Sequence, residues 1–168
     1  SGSVLGGITN SGGSGNLAFG RTDVYTNGVE PQLVGFGGSI LQNGAGVLVL
    51  TNPASVFSST VINAGNVFFS TPAAIPGTGA SITNNVRGAI VADGAYTTVG
   101  GWLASGRIAT NSIGAIALGG GSAENINMAG YNTLSLGAAK NAGATYVGTL
   151  TPAINTYYLG GGGGLLVM

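Results

Sequence analysis

Residues 44–77 constrain the fold of this chain more than any other stretch. Three short runs of β-branched or apolar residues, 47–50, 60–63 and 66–69, are each bounded by Gly, Asn, Pro or Ser. Punctuation this close produces strands of about four residues that turn corners, in place of hairpins or helices. The tail 161–168, Gly-Gly-Gly-Gly-Leu-Leu-Val-Met, opens as residues 44–50 do and then stops, so it reads as one strand of a further coil. Stacking is therefore the first thing such a chain has to explain.

Similar runs recur at 4–9, 16–19, 32–36, 39–42, 81–84, 88–92, 113–118, 125–129, 133–136, 145–150, 156–159 and 165–168. Many of them are only about four residues, shorter than the usual strand of five or six. Links such as Asn63-Ala64-Gly65-Asn66 suit a corner between two faces of a coil. The expected fold is all-β, a single-stranded parallel β-helix (β-solenoid) with Gly/Asn corners, spanning residues 1–168 as one domain. At about 20 residues per coil it would make roughly eight coils. Asn63, Asn66, Asn84, Asn85, Asn125 and Asn127 are expected at corners in the left-handed region, which Asn tolerates better than most residues. Two segments break the rhythm and are expected to project as loops or a short cap, 21–31 and 93–112. The best helical windows, 101–108 and 138–144, are too short and too Gly-flanked to hold as helices.

Composition agrees with this reading. The chain has 34 glycines in 168 residues, and each would cost a helix about 1 kcal/mol relative to Ala. There is no Gly-X-Y period, and 44% of residues are apolar, so neither collagen nor disorder is expected. Only eight residues are charged: Arg21, Asp23, Glu30, Arg87, Asp93, Arg107, Glu124 and Lys140, for a net charge of zero. Four scattered cations cannot neutralise a run of phosphates, so no nucleic-acid partner is expected. Low net charge weakens the repulsion between copies and tolerates self-association. The sequence has no cysteine and no apolar run long enough to cross a bilayer, so neither a disulfide nor a transmembrane segment is expected.

Over residues 46–67 the chain resembles the autotransporter-associated β-strand repeat, also called the passenger-associated transport repeat. The resemblance is carried by Gly46, Leu48, Leu50, Val56-Phe57, Thr60, Val61-Ile62-Asn63-Ala64-Gly65 and Val67. Pro53 after Asn52, and Ser58-Ser59 where the repeat usually has Gly-Gly, depart from it. A looser likeness runs over 87–168. The resemblance implies a β-helical scaffold in a secreted protein of the bacterial cell surface or extracellular space. It implies no particular activity, because the family is defined by its scaffold.

Catalytic groups are scarce. No histidine is present, which removes Ser-His-Asp and Cys-His systems as usually built. Asp23, Glu30, Asp93 and Glu124 are the only carboxylates. A glycosidase needs two that converge, and local ion pairs in solvated loops are the simpler reading of these four. No calcium-binding repeat occurs, and Gly119–121 and Gly160–164 lack the Lys-Ser/Thr of a phosphate loop, so they read as corners or links. No catalytic residue, metal or cofactor is expected. Tyr96, Trp102 and Tyr157 are candidate glycan contacts, with core packing as the simpler role for such large apolar rings. Phe68 and Phe69 should point to opposite faces of a strand, one of them outward.

The expected role is a structural or adhesive segment, assembling end to end. The candidate assembly edges are Val4, Leu5 and Ile8 at one end and Leu165, Leu166, Val167 and Met168 at the other. The expected partner is another copy, or the rest of a longer surface protein, with a glycan or a cell-surface partner as a further expectation. The alternative is a polysaccharide-binding or polysaccharide-cleaving β-helix.

Overall fold

A computed structural model describes residues 8–9, 15–27, 33–34 and 36–168. The fold is a β-solenoid of about six turns. All pairings between its strands are parallel. One ladder runs the length of the stack through Tyr25, Leu48, Val67, Ile90, Ile116, Leu136 and Leu159. Its members are unevenly spaced along the chain, closest from Leu48 to Val67 and farthest from Ile90 to Ile116. The average coil is therefore longer than expected, and the coils are fewer. The longest coil absorbs the segment between Ala92 and Ala115.

Alternation places the core. In Val47–Leu50, Leu48 and Leu50 are buried while Val47 and Val49 are half-buried. On the next rung Val67 and Phe69 take the inward positions, and Phe68 packs on the outside of the sheet. A second inward ladder is Ile40, Thr60, Ile82 and Ile108, all buried. Each apolar member removes its side chain from water, worth about 1.5–3 kcal/mol at this size. Thr60 carries a hydroxyl with no partner among the described residues.

The corner before the Leu48 face is a column of stacked glycines: Gly46, Gly65, Gly88 and Gly114. A Cβ on Gly46 would collide with Asp23 O, on Gly65 with Gly46 O, on Gly88 with Ile62 O, and on Gly114 with Gly88 O. Gly65 also has φ of +69°. Successive rungs approach here backbone to backbone, and only hydrogen fits between them.

Several expectations are corrected. The runs 60–63 and 66–69 belong to one strand, Phe57–Phe69, and 81–84 and 88–92 merge into Ile82–Ala92. The corner is a bend in a strand that keeps its pairing, with a register shift between Ile62 and Ala64. The expected left-handed asparagines are absent: among the described non-glycine residues only Asn141, Ile154 and Asn155 have positive φ. Instead Asn43, Asn63 and Asn85 form a side-chain ladder up the outside of a corner, with amide bonds of 2.7 and 2.6 Å. Asn85 donates to Asn63 and Asn63 to Asn43, each to the rung next to it, without bending the backbone.

The 21–31 excursion is in part a rung, since Val24–Asn27 pairs with Val47–Leu50. The 93–112 segment turns inward and contains a helix, Val99–Ala104, in the window read as too short. This short helix holds because Thr98 caps the N-terminus through Gly101 N, and because Val99 and Trp102 are buried in the core. Tertiary packing supplies what local propensity lacks.

Candidate functional site

The last rung is where the solenoid is least finished. Among the described residues, Leu150–Thr151 pairs only with Ile126–Asn127, and Leu165–Val167 only with Gly143–Thr145. Leu159 bridges only to Leu136. Their other edges carry unpaired backbone groups, the feature that templates further strands. Among the described residues, eight of the twelve exposed large hydrophobic side chains fall within 147–168, which concentrates apolar surface at this end. They include Tyr157, Tyr158, Leu159, Leu165, Val167 and Met168. Leu166 alternates inward and packs on the core, as a strand residue between two exposed ones must.

At the opposite end, Ile8–Thr9, Leu17–Phe19 and Val24–Asn27 each pair with one strand among the described residues. Ile8 of the expected edge lies there, opposite Leu33. Val4 and Leu5 lie outside the described residues.

The aromatic candidates separate. Trp102 is fully buried. Its ring meets Tyr96 edge-on at 4.9 Å between centroids and Phe69 at 6.0 Å. It offers no face to a sugar, and the platform expected from Tyr96 and Trp102 is instead a core contact. The inward turn of 93–112 is the cause, because it carries the largest apolar ring into the solenoid. Tyr157 stands exposed on the last rung.

The carboxylates are occupied locally. Arg21 Nε donates to Asp23 Oδ1 at 2.7 Å, and the guanidinium holds the Asp23 carboxyl below its ordinary range. Asp93 Oδ1 accepts from Gly94 N at 2.7 Å. Glu30 lies outside the described residues. Glu124 reaches across to the helix: Oε1 accepts from Val99 N at 2.9 Å and Oε2 from Gly100 N at 3.0 Å. Asp93 and Glu124 share the wall of a polar cleft of about 500 Å³ with Thr97, Thr98 and Ser122. Glu124 is nonetheless committed to two amide donors, and a carboxylate held this way is poorly placed to act as a general acid or nucleophile. Glu124→Ala should leave both donors bare and cost about 1–2 kcal/mol of stability, measured by urea unfolding. Burial pushes the phenols of Tyr131 and Tyr146 up from their ordinary value. Both hydroxyls donate to backbone carbonyls, Leu103 O and Glu124 O.

Among the described residues, no three His, Cys, Asp or Glu side chains gather as a metal site, and no helix is long and apolar enough to cross a membrane. Compared with known proteins, the chain matches no family model, no curated protein and no solved structure.

Proposed function

We propose that this chain is a structural segment of a secreted bacterial surface protein, and that it stacks end to end with copies of itself. The observation that carries the reading is the last rung, with three one-sided strand segments and clustered exposed apolar residues. Parallel rungs about 4.8 Å apart can continue from one copy into the next without a change of geometry. The contact is heterologous, last rung on first rung, so it propagates as a filament and does not close as a dimer. Asp23 and Glu124, tied up by neighbouring donors, and the buried Trp102 all speak for a non-catalytic role.

The test is electron microscopy and sedimentation of the purified chain. Filaments are expected, with strands across the axis and a repeat of about 4.8 Å along it. Removing Gly164–Met168 should abolish them and leave a β-rich monomer. Placing lysine at both Leu165 and Val167 should do the same with the rung intact, because an edge cation discourages pairing. A parent chain that stays monomeric at high concentration, or filaments that survive both changes, would reject the proposal.

A further inference from the structure

The flank of the solenoid carries a separate feature. Ala89, Val91, Ala115 and Ala117 make a small-residue outer face, covered by Ala139. The glycine run crosses the same face: a Cβ on Gly161 would come within 2.8 Å of Ala115 Cβ, and one on Gly162 within 2.8 Å of Ala117 Cβ. Four consecutive glycines, Gly160 to Gly163, have φ between 78° and 102°. The run is therefore a packed strap, and not the corner or link expected from its composition.

Asn66 pins the strap. Its side chain is buried, and both ends of the amide are used: Nδ2 donates to Gly162 O at 2.9 Å, and Oδ1 accepts from Lys140 N at 2.6 Å. Lys140 then lies along the flank, and Nζ donates to Ala45 O at 2.6 Å and Thr22 O at 3.0 Å. An ammonium has three donors, so one is left. Beside it, the exposed Arg87 side chain has no hydrogen-bond or ion-pair partner among the described residues. These residues line a cleft of about 280 Å³ together with Gly65, Gly162 and Gly163.

The cleft holds two of the chain's four basic residues and no carboxylate. The nearest acid in sequence to a Lys140 acceptor is Asp23, which pairs with Arg21. The Gly162 and Gly163 N–H groups have no acceptor among the described residues. Both ends of the Asn66 amide are taken, and the two charged side chains that line the cleft are both positive. Cationic donors with free backbone amides suit an oxyanion, which has lone pairs to give and no protons to place.

We propose that this cleft binds a compact oxyanion, a carboxylate, sulfate or phosphate group, between Arg87 and Lys140. Lys140 supplies a charge fixed by two carbonyls, and Arg87 supplies the guanidinium that closes on the anion. The site is on the flank and does not depend on stacking at the ends.

Isothermal titration calorimetry of the full chain tests it, with sodium phosphate, sodium sulfate and sodium glucuronate at constant ionic strength. Saturable binding of at least one probe is expected. Arg87→Gln should weaken it about ten-fold, and Arg87→Lys should retain part of it, since the charge remains but the two-pronged contact goes. Arg87 is exposed and unpartnered, so both variants should unfold at the parent's temperature. Binding of glucuronate alone marks a planar carboxylate as the ligand group; binding of phosphate or sulfate alone marks a tetrahedral one. Lack of saturable heat with all three probes overturns the proposal, as does binding to Arg87→Gln as strong as to the parent.

Discussion

Trp102→Ala should be the most damaging substitution of a side chain in this protein, at about 3–5 kcal/mol. Trp102 is fully buried, the largest such side chain among the described residues, and it sits between Phe69 and Tyr96. Truncation leaves a cavity inside a solenoid whose coils are held apart at a fixed backbone spacing, so the walls cannot collapse into it. It also removes the apolar anchor of a six-residue helix, which has little stability of its own. The midpoint of thermal unfolding, followed by far-UV circular dichroism, should fall by about 10 °C or more for a chain of this size. Trp102→Phe separates packing from chemistry. The indole Nε1 has no acceptor among the described residues, so its removal relieves an unsatisfied donor while a ring remains in place. Phenylalanine should therefore recover more than half of the loss. If Ala and Phe are equally harmful, the contact is not the source of the stability.

Gly88→Ala should cost about 3 kcal/mol, the upper end of the range for overpacking. The added Cβ would collide with Ile62 O and press on Ile62 Cγ2, and a backbone carbonyl cannot step aside as a flexible side chain can. Relief requires the two rungs to separate, which breaks ladder bonds between Phe57–Phe69 and Ile82–Ala92, the most extensively paired strands of the stack. Gly120→Ala is the control. A Cβ there meets nothing within 4 Å, and its φ is not positive, so the change should be neutral or slightly stabilising through the unfolded chain. Equal urea midpoints for the two variants would show that the glycine column does not set the rung spacing.

The open rung and the donor-lined cleft were legible to different degrees. Leu165, Val167 and Met168 stand out in sequence because an apolar strand follows a glycine run, and strand alternation then decides that Leu166 turns inward. The cleft has no local signature. Lys140 meets Asn66 and Ala45 from far along the chain, and nothing in either neighbourhood announces the other. Trp102 misleads in the same way. Glycines flank it and a polar loop surrounds it, yet Thr98 and the distant Glu124 stabilise the short helix that carries it into the core.

What the sequence determined by itself is the stacking. Short β-branched runs, closely spaced glycines and almost no charge leave parallel coils as the arrangement that buries the apolar residues and pairs the backbone. Both of those requirements act through neighbours along the chain, so they appear as a pattern. Tertiary structure alone decided where the glycine strap lies, which asparagines stack outside and which are buried, and that the 93–112 segment plugs the core. Those outcomes depend on which rungs come to lie side by side. Coil length changes from one rung to the next, as the steps from Leu48 to Val67 and from Ile90 to Ile116 show, so the pairing of distant residues cannot be read from spacing alone.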